Sequence, residues 1–514
     1  MGDQERNSTP GNATLLQGFE WNVPADGKHY QRLLSAIENL DKVGINNIWL
    51  PPGCKASSPE GNGYDIYDLY DLGEFDQKGG KATKWGTKDE LMELSKKAKD
   101  LGVGLYWDAV LNHKAGADNK EKCMAVEVDP DNRMKEIGEP YEIEGWLGFD
   151  FPGRGDTYSD FKWHWYHFTG TDYNAANEKT AIYKIVGDNK RWSESVGKEG
   201  GNADYMMFAD IDYHHDDVIA DVKKWGIWIT KELGLKGFRM DAVQHFSERF
   251  TADWIETLRK ECGGDIFAVG EFWSGEVDQL TEWLGMMDHK FSVFDAPLLY
   301  NFHNISTSEN ADMRSVFDKS LVQVEPVNAV TVVMNHDTQP GQTVATPIEG
   351  FFKPLAYTLI LLRLEGYPSV FYGDLYGMKG RGDDAPAEPP ACGGKLADII
   401  LARKLYAYGD QEDFFDEPNC IGWSRKGTWD RPDGCAVVLS NAGPGQRRMN
   451  VGTVHKGEVW TDVLDWSKEE VTIDEEGWGV FNCPGISCAI YVNKEAKGRD
   501  QFPTNFDSDI YKSS

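Results

Sequence analysis

The feature that most constrains this chain is an alternation: a short apolar run, then a longer stretch with apolar residues at helical spacing, over and over. ATLLQGF at 13–19 is followed by YQRLLSAIENLDKVG and then by GINNIWLPP at 44–52. TKDELMELSKKAKDLG places Leu91, Leu94, Ala98 and Leu101 on one face with lysines opposite, and leads into GVGLYWDAVLNH at 102–113. Apolar residues three and four apart mark an amphipathic helix, whereas short apolar runs bounded by turn residues mark buried strands. After a long gap the alternation resumes. A helix from Asp216 to Gly234 precedes GFRMDAV, and another from Glu248 to Cys262 precedes DIFAVGEF at 265–272. FSVFDAPL at 291–298, AVTVVMNHD at 329–337 and YPSVFYGD at 367–374 complete eight strands, with helical GFFKPLAYTLILLRLEG at 350–366 before the last. Buried parallel strands joined by helices define an α/β protein, and eight of them close into a (β/α)8 TIM barrel. An open doubly wound sheet is the alternative.

The pattern assigns residues 1–113 and 213–408 to the barrel. Residues 114–212, rich in Gly, Asp and aromatics such as FKWHWYHF at 161–168, read as an irregular β-rich domain inserted after the third strand. Residues 409–494 change to short alternating runs with turns (CIGWSRKG, GCAVVLSNAG, VWTDVL, GVFNCPGISCAIYV), the pattern of an antiparallel β-sandwich. Residues 495–514 are polar and read as a frayed, flexible tail.

Composition narrows the partners. A formal net charge of -31 over 514 residues opposes phosphate backbones and acidic membrane surfaces, so nucleic acid and membrane are excluded and a neutral substrate suits the chain. The first twelve residues, MGDQERNSTPGN, contain no apolar core of a signal peptide, and Arg6 breaks a myristoylation pattern. The best apolar run, 355–362, is too short to span a bilayer. These features predict a cytoplasmic protein. The eight cysteines form no CxxC pair and no zinc pattern. Cys420 with Cys435, and Cys483 with Cys488, are near enough in sequence to pair in an oxidising compartment.

In a (β/α)8 barrel the chemistry sits at the C-terminal ends of the strands, and three strands end in acids: Asp241, Glu271 and Asp337. The third strand adds Asp108 and His113, the seventh adds His336, and Phe272 and Trp273 flank Glu271. In GFRMDAVQH at 237–245, Arg239 and Asp241 lie two residues apart on one face of a strand. A guanidinium there lowers the pKa of Asp241 and keeps it charged; a structural salt bridge is the plain alternative. Acids converging at one rim meet the demand of glycoside hydrolysis, which uses one carboxylate as nucleophile and one carboxylic acid to protonate the leaving oxygen.

DAVLNH, GFRMDAVQH, GEFW and VVMNHD, in this order and on these strands, resemble the four signature regions of the α-amylase superfamily, glycoside hydrolase family 13. GYDIYDLYDLGEFDQKG, FKWHWYHF and FADIDYHHDDV are similar to stretches of its liquefying, bacterial-type α-amylases. The resemblance covers roughly residues 12 to 490. It implies that Asp241 is the nucleophile, Glu271 the general acid/base and Asp337 the transition-state stabiliser. It implies sugar contacts from Tyr64, His113, Arg239, His245, Trp273 and His336. It also implies one calcium ion (Ca2+) held by Asn112, Asp204, Asp210 and the backbone carbonyl of His245.

Departures from the family pattern count as well. Thr169, Ser193 and His214 stand where relatives place aspartates of a calcium–sodium–calcium cluster, so that cluster is not expected. Gln244 replaces a common Lys beside the cleavage point, and no Arg follows Asp337 where chloride-activated relatives place one. The resulting expectation is a monomeric, endo-acting, retaining hydrolase of α-1,4-glucosidic bonds in starch, glycogen or malto-oligosaccharides. A 4-α-glucanotransferase (transglycosylase) of the same superfamily shares these carboxylates, and an inactive glucan-binding homologue would have lost them.

Overall fold

A computed structural model of the chain describes residues 12–309, 311–382 and 385–512. The segment on which the leader and lipidation expectations rest, residues 1–11, lies outside the described residues. Eight strands form a closed, all-parallel barrel: β1 (Leu15–Gln17), β2 (Asn47–Trp49), β3 (Gly104–Ala109), β4 (Gly237–Met240), β5 (Phe267–Gly270), β6 (Ser292–Phe294), β7 (Ala329–Val332) and β8 (Tyr367–Phe371). Every residue of these strands is buried, which is why they read as continuous apolar runs. The doubly wound alternative is excluded by closure, since β1 pairs with both β2 and β8.

Local chemistry sets the helices between them. Helix α1 (His29–Val43) stops at Gly44, which takes φ 118° to end the last turn. Helix α2 (Lys88–Leu101) starts in a capping box, with Thr87 receiving the Glu90 amide and the Glu90 side chain receiving that of Thr87. Its Leu91, Leu94 and Ala98 are buried against the barrel, as their spacing predicts. Among the described residues no helix is long and apolar enough to cross a membrane.

The insert is more regular than its sequence suggests. It builds a six-stranded antiparallel sheet dominated by the hairpin Asn119–Asp129 and Asn132–Gly148. Register shifts at three places in that hairpin blur its alternation, so its strands are hard to read from residue order. The C-terminal region forms one six-stranded and one two-stranded antiparallel sheet. Here the cysteines that lie near each other in sequence do not pair. Cys420 and Cys435 occupy opposite ends of adjacent strands, Cys420 facing Ser440 and Cys435 facing Arg425, and all eight cysteines are free thiols.

The tail also departs from expectation. Residues 495–512 are not frayed but run back along the barrel, with Phe502 stacked on Tyr406, Phe506 against Tyr376 and Ile510 buried. Three large apolar side chains spaced through a polar segment supply enough buried surface to order it.

Candidate active site

Four carboxyls gather at the C-terminal mouth of the barrel around a single guanidinium. In the parallel register of β3 and β4, Asp108 lies beside Arg239. Arg239 Nη1 donates to Asp108 Oδ1 at 2.8 Å and to Asp241 Oδ1 at 2.7 Å, while Nη2 reaches Glu271 Oε1 at 2.6 Å. The side chains grade outward: Asp108 is 0% exposed, Asp241 9%, Glu271 13% and Asp337 36%. That gradient separates a buried organiser, Asp108, from three acids that face the cleft. Asp108 also accepts from Trp49 Nε1 and from the Tyr64 hydroxyl, both at 2.9 Å.

Burial and crowding decide the ionisation of this group. The carboxyl of Asp241 is pushed well above the usual range by burial and by Glu271, Asp108 and Asp337, against the pull of Arg239. This corrects the expectation that Arg239 alone would hold it low: one cation is shared among several acids. Burial likewise raises Asp108, to about 6, although Arg239 opposes the rise. Asp337 is raised by burial too, against the pull of Arg239 and of neighbouring Glu271.

Backbone geometry holds these acids in place. Ala242, directly after Asp241, adopts φ 47°, a left-handed conformation uncommon for a residue with a side chain. Its N–H donates to Glu271 Oε2 at 3.1 Å. Strain of about 1–3 kcal/mol at such a position is the kind stored at functional sites. On the seventh strand's loop, Asn335 Oδ1 accepts the amides of Asp337 and Thr338 at 2.9 and 2.8 Å, a turn that presents His336 and Asp337 to the cleft.

The expected sugar contacts divide. Tyr64 and His336 lie parallel, centroids 5.1 Å apart, and Trp21, absent from the sequence reading, is parallel to both at 5.9 and 6.0 Å. Together they tile an aromatic floor. His336 Nε2 lies 3.3 Å from Asp337, and its Nδ1 receives Gln17. Burial lowers the His336 pKa to about 3, so the ring is neutral. Arg239 and His113 are turned to protein groups. Both Nη nitrogens of Arg239 are taken by carboxylates, and its Nε is buried without a hydrogen-bond partner among the described residues. His113, lowered to about 4 by burial, donates to the Tyr64 carbonyl at 2.7 Å and meets Asn112 through Nδ1. These contacts suit the positioning of other groups. Trp273 donates to the Tyr300 hydroxyl, and its own amide meets Gln244. His245 is drawn toward the insert by Ala203 at 2.6 Å.

That contact leads to the expected cation set. Asn112 Oδ1 is buried without a hydrogen-bond partner. Asp204 and Asp210 are buried; burial, with Asp212, raises the Asp204 carboxyl to about 7, and burial together with Asp204 pushes Asp210 well above the usual range. Among the described residues no Lys or Arg offsets them. Two buried carboxylates and an orphaned amide oxygen are donors suited to a hard divalent cation. Among the described residues no three His, Cys, Asp or Glu side chains form a ready metal centre; the set here has only two, with amide and carbonyl oxygens completing it. The neighbouring Asp212 differs: Lys190 donates to it at 2.6 Å and His214 at 3.0 Å, and its pKa falls to about 2 despite burial. Thr169 and Ser193 serve as hydrogen-bond donors to Asp210 and Asp204.

Comparisons with known proteins agree with this geometry. The sequence model of the alpha-amylase catalytic domain matches residues 29–417. The chain is 46% identical over 485 residues to an alpha-amylase of Bacillus licheniformis, covering 94% of each. It is 41% identical to the cytoplasmic alpha-amylase of Escherichia coli, covering 94% of this chain and 99% of that one. Among solved structures, an alpha-amylase of Geobacillus thermoleovorans complexed with acarbose matches with TM-score 0.63 at 16% identity, over 94% and 98% of the two chains, a likeness of fold.

Proposed function

The chain belongs to the alpha-amylase family, and from that premise we propose that Asp241, Glu271 and Asp337 are the groups with which it hydrolyses α-1,4-glucosidic bonds. The enzyme is an α-amylase-type glycoside hydrolase acting on starch, glycogen or malto-oligosaccharides. The observation that carries the assignment is the Arg239 guanidinium, which holds Asp241 and Glu271 on neighbouring nitrogens. Two carboxyls drawn to one guanidinium favour the retaining arrangement, which needs them about 5–5.5 Å apart, over the wider one that leaves room for a water.

In the first step an Asp241 oxygen bonds the anomeric carbon while Glu271 gives its proton to the departing glycosidic oxygen. In the second, Glu271 takes a proton from water, whose oxygen displaces Asp241 and restores the original anomeric configuration. Asp337, the most exposed acid, lies against the sugar ring and stabilises the oxocarbenium-like transition state. Tyr64, Trp21 and His336 supply the surface beneath it. Calcium would be held by Asn112, Asp204, Asp210 and the His245 carbonyl. When bound, it ties the insert (114–212) to the loop after Asp241 and leaves the chemistry to the carboxylates.

Cytoplasmic residence is proposed from the similarity to the cytoplasmic relative and the eight free thiols. The direct test follows the products of maltoheptaose by NMR. The α-anomer should appear first, and Asp241→Asn should lower kcat by roughly a thousandfold or more. Initial release of the β-anomer would reject the assignment of Asp241 as nucleophile.

A further inference from the structure

The C-terminal segment reaches the active-site face of the barrel, and its contacts there are specific. Thr504 N–H donates to Asp398 Oδ1 at 2.7 Å, fixing the segment against the helix Leu396–Tyr406. Seven residues later the Tyr511 ring lies between two cations, Lys379 Nζ at 3.9 Å and the Arg32 guanidinium at 4.8 Å from its centroid. Its hydroxyl lies 3.4 Å from that of Tyr372. A cavity of about 420 Å3 separates Ser508 and Asp509 from the 376–390 loop, so the segment grips that loop chiefly through Tyr511.

Lys379 in turn belongs to the rim of the cleft. Its N–H donates at 3.0 Å to Glu20, a fully buried acid that also accepts the Asn22 amide at 2.6 Å and Gln339 Nε2 at 3.0 Å. Gln339 Oε1 accepts the Trp21 amide at 2.9 Å. Glu20 and Gln339 thus clasp the loops after the first, seventh and eighth strands, and the first of these carries Trp21 onto Tyr64 and His336.

We propose that residues 504–512 form a strap that positions the substrate floor, with Tyr511 acting through Lys379 and Glu20 on Trp21. The inference rests on the glucan-hydrolase reading for its kinetic arm only. A cation held against an aromatic face contributes both attraction and direction, so the clamp fixes the loop laterally, where sugar stacking is sensitive. Phe502, packed on Tyr406 away from the rim, supplies a control for simple loss of packing.

The test compares Tyr511→Ala, Tyr511→Phe, Lys379→Ala and Phe502→Ala in the full chain. Tyr511→Ala should raise KM for maltoheptaose several-fold with kcat changed less than twofold. Tyr511→Phe, which keeps the ring, should restore KM. Lys379→Ala should reproduce the effect, and the double variant should be no worse than either single one. Phe502→Ala should lower Tm without moving KM. Independently of activity, hydrogen exchange of the Glu20–Asn22 amides should quicken in Tyr511→Ala and not in Phe502→Ala. Unchanged exchange and KM in Tyr511→Ala and Lys379→Ala, or equal changes in Phe502→Ala at the same loss of Tm, would overturn the proposal. If Tyr511→Ala does not fold, Lys379→Ala alone decides it. An inactive wild-type enzyme would defeat the functional reading and leave the exchange result standing.

Discussion

Two places in this molecule bury acids together, and they solve the problem differently. At the barrel mouth Asp108, Asp241 and Glu271 share Arg239, a cation supplied by the chain itself. In the insert Asp204 pushes up the carboxyl of Asp210, with no salt bridge to either among the described residues, beside an amide oxygen that no described residue satisfies. Burying like charges is unfavourable unless an opposite charge is buried with them. The first cluster therefore carries its own cation, whereas the second has the donors that the proposed calcium ion would satisfy. Asp212, close by, shows the internal remedy in the same loop region, since Lys190 and His214 hold it low. On this reading the arrangement at the barrel mouth is a property of the chain, while its junction with the insert would depend on calcium in the medium.

The sharpest way to break this contrast is to remove the internal cation. Arg239→Met should strand the buried carboxylates, cost about 3–5 kcal/mol of folding stability, and lower kcat by roughly a hundredfold or more through misplaced acids. Urea unfolding and steady-state kinetics on soluble starch measure both. A stable, active variant would mean that Arg239 is a bystander.

Withdrawing the external cation should act on the other cluster. Chelation should lower Tm and activity together, by up to about 4 kcal/mol of stability if calcium was present at a thousand times its Kd. Asp210→Asn should lower Tm in calcium and make the protein indifferent to chelator. Wild-type enzyme whose Tm and activity both ignore chelation would show that the insert needs no ion, and would erase the distinction between the two clusters.

What could be read from residue order follows the same division. The position of the acids at the barrel mouth was legible because strand alternation and barrel topology place strand-end residues at one mouth, whatever lies between them. Trp21 and Glu20 were not, because their partners Gln339 and His336 are more than three hundred residues away and reach them through loops without period. The left-handed Ala242 was equally hidden, since alanine does not advertise a positive φ. For Asp241 the direction of the pKa shift was expected to be downward, because its neighbouring Arg239 was adjacent in sequence whereas its burial and its closeness to Glu271, Asp108 and Asp337 were not. The tail looked frayed because Phe502, Phe506 and Tyr511 have no periodic spacing, although each finds an aromatic partner on the barrel.

The smallest expected effect refines the claim that Arg239 is the cation of the catalytic cluster. If His336 were charged it would be a second one, but burial lowers it to about 3, and His29, packed beneath the first strand's loop, falls to about 4. An imidazole whose folded pKa lies below its unfolded value of about 6.5 binds its proton first in the unfolded chain. Each ring thus contributes stability that is present above pH 6.5 and is lost as pH falls toward its folded pKa, at about 1.4 kcal/mol per pH unit. His29 donates to the Gly18 carbonyl at 2.8 Å, a bond that His29→Gln can imitate without titrating. Between pH 6.5 and 4 the stability of that variant should therefore fall by one proton's slope less than the parent's, and His336→Gln should behave alike down to pH 3. Parallel slopes for His336→Gln and the parent would mean that this ring is charged in the folded enzyme. The barrel mouth would then hold two cations, and its carboxylates would be less dependent on Arg239 than the geometry requires.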